Sequence, residues 1–286
     1  MNLIKETKYI MDKFNIRADK SLGQNFLINE SVVDSIVDNS LVCKEDLVIE
    51  IGPGLGTLTS KLLEKAGKVI CIELDTKMLN ILNSRFSLYD NFEIINEDVL
   101  KVDLKNLIEE NLNENIKYAK VVANLPYYIT TPIIMKLLED RLNLTSITVM
   151  VQKEVALRLA ANPGEKESGA ITYSIHYYTN PEIIIDVPNT SFIPAPKVDS
   201  AVIKFDVLNK PSIDVTDEKL FFSIIKAAFL QKRKTLVNCL VNSNFFSDKA
   251  SCEKMLLELG FDIKIRGEKL TLNDFKNITE YIKKNQ

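Results

Sequence analysis

Five short runs rich in valine and isoleucine, with helical segments between them, constrain this chain more than any other feature. The runs are Leu47–Ile51, Lys68–Leu74, Phe92–Asn96, Lys120–Asn124 and Ser146–Gln152. Near-continuous apolar stretches of this length suit parallel strands buried on both faces. Helical patterns cover Thr57–Lys65, Lys77–Phe86 and Thr131–Leu142. Alternating strands and helices predict an α/β sheet with helices on both faces. Two more strands, Glu182–Val187 and Ala201–Val207, follow a helical stretch at Gly169–Tyr178. The Pro-containing loop between them is too short for a crossover helix, which favours an antiparallel pair at the sheet edge.

After Val207 the strand signal stops. Leu208–Asp214, with Pro211 inside it, reads as a linker. Helices are expected at Leu220–Leu230, Asp248–Leu259 and Thr271–Lys283. Gly260 is placed for a left-handed cap with Phe261 as its apolar partner, and Thr271-Leu272-Asn273-Asp274 resembles a capping box. At 286 residues the chain exceeds the usual size of one core. The division expected is a large domain over 1–209 and a small helical one over 210–286.

Composition narrows the chemistry. With one histidine, His176, multi-histidine metal sites are excluded, although a Ser-His-Asp triad stays arithmetically open. Cys43, Cys71, Cys239 and Cys252 form no C-x-x-C pair, so a zinc ribbon or a thioredoxin-type site is not expected. Their use suits a reducing cytosol. No stretch approaches the ~18 apolar residues of a membrane span, and the N-terminus lacks the apolar core of a signal peptide. The net charge of −3 hides an asymmetry: residues 1–210 hold 23 basic and 29 acidic side chains, and residues 211–286 hold 13 and 10. The sharpest basic run is Lys232-Arg233-Lys234. Short runs of this kind are most often solvated helix faces. The sharper reading is contact with a polyanion, and charge alone does not decide between them.

The ligand signals sit at strand ends. Glu50-Ile51-Gly52-Pro53-Gly54-Leu55-Gly56-Thr57 follows the first strong strand and opens a helix. Glycines there let the backbone approach a ligand closely. A dinucleotide fingerprint wants its third glycine one position later, so G-x-G-x-G with an acidic residue two before it suits S-adenosylmethionine better. Glu73 ends the second strand, where a carboxylate can accept both hydroxyls of a ribose; Asp75 competes for that role. Asn96-Glu97-Asp98-Val99 ends the third strand, where an acidic side chain can accept from an adenine amine.

The fourth strand runs into Asn124-Leu125-Pro126-Tyr127, the most specific motif present. An exocyclic adenine amine is a poor nucleophile because its lone pair is delocalised into the ring. Two acceptors that hold its N–H groups leave that lone pair aimed at an electrophile. The Asn124 side-chain oxygen and the Leu125 carbonyl could serve, with Pro126 stiffening the turn and Tyr127 stacking on the base. The gain is mostly orientation. Phe192, on a Pro-rich loop, could close the other face of a flipped base.

Taken together, these stretches resemble the small-subunit ribosomal RNA adenine dimethyltransferase family. The resemblance is carried by Lys20–Leu27, Glu50–Thr57, Glu73, Asp98, Asn124–Tyr127, Gln152–Ala156, Phe192–Ser200 and Phe229–Leu236. It implies an α/β, Rossmann-like class I methyltransferase domain with a seven-stranded, mostly parallel sheet and a small all-helical, RNA-binding C-terminal domain. It implies S-adenosylmethionine as methyl donor, S-adenosylhomocysteine as product and no metal. Residues 1–28 would form a basic segment that closes over the cofactor through Gln24, Asn25 and Leu27. Gly52 and Gly54 would lie beneath the cofactor, Glu73 would hold its ribose, Asp98 beside Val99 its adenine, and Asn124 would stand between cofactor and target amine. The implied substrate is 16S rRNA within the immature 30S subunit, where two adjacent adenosines in a hairpin loop near the 3′ end become N6,N6-dimethyladenosine. A cytoplasmic monomer with no membrane partner is expected. Lys20, Lys153, Arg158, Lys197, Lys232, Arg233 and Lys234 are the expected contacts to RNA phosphates. Two departures stand out: Tyr128 where many members have Asn, and Gly267 in place of a common Pro, which is expected to loosen the start of the last helix. The alternatives are a 23S rRNA adenine methyltransferase of the macrolide-resistance type, which tends to carry Ile in place of Leu125, and a non-catalytic assembly factor on the same fold.

Overall fold

The computed structural model describes residues 2–19, 22–231 and 233–285, which form two compact units. Residues 1–156 and 181–207 make the first; 157–180 and 208–286 make the second. The chain opens with α1 (Leu3–Lys13), the two-residue strand β1 (Phe26–Leu27) and α2 (Glu30–Asn39). Then come β2 (Asp46–Ile51), α3 (Thr57–Lys65), β3 (Lys68–Glu73), α4 (Thr76–Phe86), β4 (Phe92–Asn96), α5 (Leu104–Asn111), β5 (Tyr118–Asn124), α6 (Thr130–Glu139) and β6 (Ser146–Gln152). They are followed by α7 (Lys153–Ala160), α8 (Ala170–Tyr178), β7 (Thr179–Val187), β8 (Phe192–Ile193) and β9 (Ser200–Val207). Four helices complete the chain: α9 (Glu218–Leu230), α10 (Leu236–Asn242), α11 (Lys249–Glu258) and α12 (Leu272–Asn285).

The first unit is a seven-stranded sheet in the order β4-β3-β2-β5-β6-β9-β7. The five strands from β4 to β6 are parallel, and β9 runs antiparallel to β6 from Ser146↔Asp206 to Gln152↔Ser200. Every residue of β2 is buried. Successive side chains of a strand point to opposite faces, so the sheet is covered on both, as its apolar runs require. On one face Val48, Val69, Cys71, Val122, Met150 and Val202 form a core with residues of α1 to α4, among them Ile10, Ile36, Leu62 and Ile81. The strand order reverses at β2: β3 and β4 lie to one side, β5 and β6 to the other. In open α/β sheets the crevice outside the carboxyl ends at such a switch point is where ligands bind. Here those ends carry the glycine turn after Ile51 and the Asn124 motif.

The second unit is helical around Tyr173, Phe221, Ile224, Leu240, Met255 and Phe275. Segment 157–180, which a linear division at residue 209 assigns to the first domain, belongs here. Its helix α8 buries Tyr173 and Tyr177; Tyr173 meets the Phe275 ring edge-on at 5.1 Å and donates to the Leu270 carbonyl at 2.6 Å. The expected caps are present. Gly260 has φ +80°, its N–H donates to Leu257 O and that of Phe261 to Leu256 O, the paired bonds of a Schellman end. Thr271 and Asp274 exchange backbone-to-side-chain hydrogen bonds at the start of α12. Gly267 is buried against α9: a Cβ there would lie 2.8 Å from that of Ala228. The glycine thus permits a close approach rather than loosening α12. His176 bonds the Ala161 carbonyl at 2.9 Å, and burial lowers its pKa from 6.5. Among the described residues no helix is long and apolar enough to cross a membrane.

Candidate active site

A cavity opens at the carboxyl ends of β2, β3, β4 and β5. Its walls include Gln24, Asn25, Leu27, Gly52, Gly54, Glu73, Asp98, Val99, Asn124, Leu125, Pro126 and Tyr127. Every cofactor and catalytic candidate but one is therefore brought to one place.

The glycine turn is left-handed at three alternate positions, with φ +66° at Gly52, +57° at Gly54 and +81° at Gly56. Residues with a Cβ adopt that region only under strain. Glu73 holds the turn: its Oε2 accepts from Gly54 N at 3.2 Å and its Oε1 from Asp75 N at 2.9 Å. Burial pushes its pKa up despite these bonds. Asp75 is occupied as the N-cap of α4, bonded by Lys77 N at 2.9 Å and by Gln24 Nε2 at 2.8 Å. Glu73 lines the cavity and Asp75 does not, which leaves Glu73 as the better-placed carboxylate. Asp98 accepts the Leu100 N–H on Oδ1, and its side chain remains part of the wall.

One residue that sequence reasoning marks only as part of the turn proves central. Glu50 is 1% exposed and lines the cavity. Thr59 Oγ1 donates to its Oε2 at 2.6 Å and the Cys71 thiol at 3.5 Å. Burial, aided by the field of Glu73, pushes its pKa up to about 7. The register Glu50↔Cys71 places these groups side by side on one sheet face. The signal for Glu50 was an acidic residue in the otherwise apolar run Leu47–Ile51. With Glu50, Glu73, Glu97 and Asp98 in its walls, the cavity suits a cationic ligand.

Asn124 Nδ2 points to the Asn25 carbonyl at 3.5 Å, which leaves Oδ1 as its acceptor. Leu125 N donates to Met150 O at 3.1 Å, and the Pro126 carbonyl accepts from Ile129 N and Thr130 Oγ1 as the chain turns into α6. The Tyr127 hydroxyl lies 2.6 Å from Ser200 Oγ. Tyr128 is 56% exposed at the cavity rim, and a Cβ on Gly23 would be 3.3 Å from its ring.

Phe192 is the exception. It is 3% exposed, belongs to the core and is not among the cavity walls. The reason is a pairing that short motifs do not reveal: β1 and β8 form an antiparallel ribbon with Leu27 opposite Phe192 and Phe26 opposite Ile193. Both partners pack into the core, and Leu27 alone of the two also reaches the cavity wall. The aromatic face expected of Phe192 is not presented in this structure.

Of the basic candidates, Lys153 pairs with Asp186 at 2.7 Å and Lys197 is exposed, both in the first unit. Arg158, Arg233 and Lys234 are exposed in the second. Lys20 and Lys232 lie outside the described residues.

Comparisons with known proteins bear on the family and the fold. The profile of the family described as "Ribosomal RNA adenine dimethylase" matches residues 15–284. A ribosomal RNA small subunit methyltransferase A from Alkaliphilus oremlandii (strain OhILAs) is 46% identical over 272 residues, covering 95% of this chain and 94% of that protein. The crystal structure of a dimethyladenosine transferase from Plasmodium falciparum superposes with a TM-score of 0.73 at 29% identity, covering 91% of this chain and 98% of that one. The 23S rRNA methyltransferase ErmE shares the fold, with a TM-score of 0.67 at 22% identity over 91% of this chain and all of its own.

Proposed function

The chain belongs to the ribosomal RNA adenine dimethylase family, and from that premise we propose that it dimethylates two adjacent adenosines in the loop of a hairpin near the 3′ end of 16S rRNA, using S-adenosylmethionine, late in assembly of the 30S subunit. The observation that carries this reading is a single cavity joining the left-handed glycine turn, two acidic strand ends and the Asn124–Tyr127 turn.

The residues present fit the cofactor. A glycine turn that a Cβ would strain leaves backbone space for its methionine part, Glu73 is placed for ribose hydroxyls and Asp98 for an adenine amine. The buried carboxylates favour a ligand with cationic groups. When bound, S-adenosylmethionine supplies an electrophilic methyl group on its sulfonium. The chain's own residues do the rest. In the first transfer Asn124 Oδ1 and the Leu125 carbonyl accept the two N–H bonds of the target amine and fix the direction of its lone pair; in the second the one remaining N–H is accepted, and after each transfer the amine releases a proton to water. Pro126 holds the turn, and Tyr127 offers a face to the base, taken out of its stack in a loop where unstacking is least costly. Leu125 is 1% exposed, so the turn sits on a dry base. Lys153 and Lys197 in the first unit, and Arg158, Arg233 and Lys234 in the second, each supply positive charge for RNA phosphates.

The test is methyl transfer from labelled S-adenosylmethionine to unmodified 30S subunits, 50S subunits and protein-free rRNAs, with nucleoside mass spectrometry. N6,N6-dimethyladenosine confined to 30S-derived material is expected. Product in 23S rRNA, or none on any substrate, overturns the reading. Asn124→Ala should bind S-adenosylhomocysteine with nearly unchanged affinity yet lose about 100-fold or more in transfer rate; full activity would remove Asn124 from the mechanism.

A further inference from the structure

We propose that Ser200 is a positioning residue for methyl transfer, its hydroxyl fixing the ring of Tyr127 at the tilt the target base must meet. The inference rests on the functional reading above. The Tyr127 hydroxyl and Ser200 Oγ are 2.6 Å apart, a short hydrogen bond between two groups able to donate or accept. The two ends of this bond differ in rigidity. Ser200 is fully buried, is the first residue of β9 and lies opposite Gln152 in the antiparallel register with β6. Its approach is fixed as well: the Asp199 carbonyl accepts from Lys153 N at 3.0 Å, and Asp199 Oδ1 accepts from Asn189 N at 2.9 Å. The sheet therefore sets the position of the serine hydroxyl.

Tyr127 stands at the other end, half-buried on a turn that leads into α6, with its ring in the cavity wall. Backbone bonds of the turn fix where its Cα is, not its side-chain torsions. A hydrogen bond at the far end of the ring holds the hydroxyl oxygen, which sets the first torsion, and the preference of a phenol's hydrogen bonds for the ring plane orients the ring about the second. Burial raises the Tyr127 pKa above 10, so the phenol keeps its proton throughout the working range of pH. This gives the stretch Lys197–Ser200 a role that Phe192, turned into the core, does not supply. The stretch holds an aromatic of another loop rather than presenting one of its own.

The test is single-turnover methylation of unmodified 30S subunits by wild type, Ser200→Ala, Tyr127→Phe and the double variant, with cofactor affinity measured by calorimetry. Misplacement of a reacting group by about an ångström costs on the order of 100-fold, so each single variant should lose about 10- to 100-fold in the transfer step. Affinity for S-adenosylhomocysteine should stay within about twofold, a split that a merely damaged fold would not produce. Because both substitutions break the same bond, the double variant should be no slower than the slower single one. Wild-type rates in both single variants, or losses that multiply in the double, overturn the proposal. Should Ser200→Ala fail to fold, Tyr127→Phe alone decides, since it removes one oxygen from a half-exposed ring. Wild type that makes no product overturns the functional reading and this inference together; active wild type with unaffected variants overturns only the inference.

Discussion

Replacing Glu50 by glutamine should change how stability depends on pH, by an amount that follows from the surroundings of the carboxyl. Glu50 is buried on the cavity floor, bonded by Thr59 and Cys71, and burial raises its pKa from 4.5 to about 7. The folded chain thus binds this proton more tightly than the unfolded chain. The stabilisation is fully present below pH 4.5 and is lost as pH rises through about 7. At about 1.4 kcal/mol per pH unit the whole loss is about 3 kcal/mol, of which about 2.5 kcal/mol falls between pH 5 and pH 8. Glutamine keeps an acceptor for Thr59 but does not ionise. Any hydrogen bond its amide leaves unmade shifts stability equally at all pH, so the observable is the slope and not the level. Urea unfolding of wild type and Glu50→Gln, followed by far-UV circular dichroism at pH 5 and pH 8, isolates it, because carboxylates that do not interact with Glu50 cancel in the difference. The variant should gain about 2.5 kcal/mol relative to wild type over that interval. A stability difference of the same size at both pH values would refute the reasoning.

Two further perturbations read the packing around the cavity. Gly56 and Gly260 have nearly the same φ, +81° and +80°, but a Cβ on Gly56 would lie 2.4 Å from Phe86 Cε2 whereas nothing lies within 4 Å of one on Gly260. Gly260→Ala should cost only the left-handed term of about 1–2 kcal/mol, and Gly56→Ala about 1–3 kcal/mol more for overpacking; equal losses in urea unfolding would mean that Phe86 yields freely. Arg85 holds Glu6 of α1 at 2.6 Å with one arm and donates to the Leu55 carbonyl of the glycine turn with the other. Arg85→Lys keeps the charge but loses the fork, so S-adenosylhomocysteine affinity should fall about tenfold, the equivalent of about 1.4 kcal/mol and within the range of one charged hydrogen bond; calorimetry showing no change would remove the tether from the cofactor site.

The sheet is legible in the sequence because parallel strands buried on both faces must be apolar throughout, and each such run is local. Helix α3 is legible to the residue because Gly56 breaks the chain at its start. The short strands β1 and β8 are not: two residues have no period, and what makes them strands is each other, across 164 intervening positions of sequence. Helix α8 reads correctly as a helix, but its assignment to the second unit depends on Tyr173 meeting Phe275, again a contact between distant positions. The cavity residues from β2 to β5 are legible for the opposite reason. Ligand sites in this architecture lie at strand ends, so finding the strands locates Glu73, Asp98 and Asn124 without knowledge of any long-range contact. Glu50 is the boundary case. Its position is local information, whereas its proton affinity depends on Thr59 and Cys71 being turned toward it.

That dependence links the stability of the first unit to its ligand. Burial raises the proton affinity of both Glu50 and Glu73, and the field of Glu73 raises that of Glu50 further. Near neutral pH the empty cavity therefore holds carboxyl groups that the fold would rather keep protonated. A sequence selected for stability alone would place a neutral side chain at position 50. A cationic ligand reverses the balance, because a positive charge beside the carboxylates favours their ionised form. Binding then releases protons and recovers part of the roughly 3 kcal/mol set against the empty state at pH 8. By the same linkage the ligand must raise the unfolding midpoint more at pH 8 than at pH 5. The acidic floor is best understood as a cost in the free protein that becomes selectivity for a positively charged cofactor, and its size is set by the burial that also keeps the Asn124 turn dry.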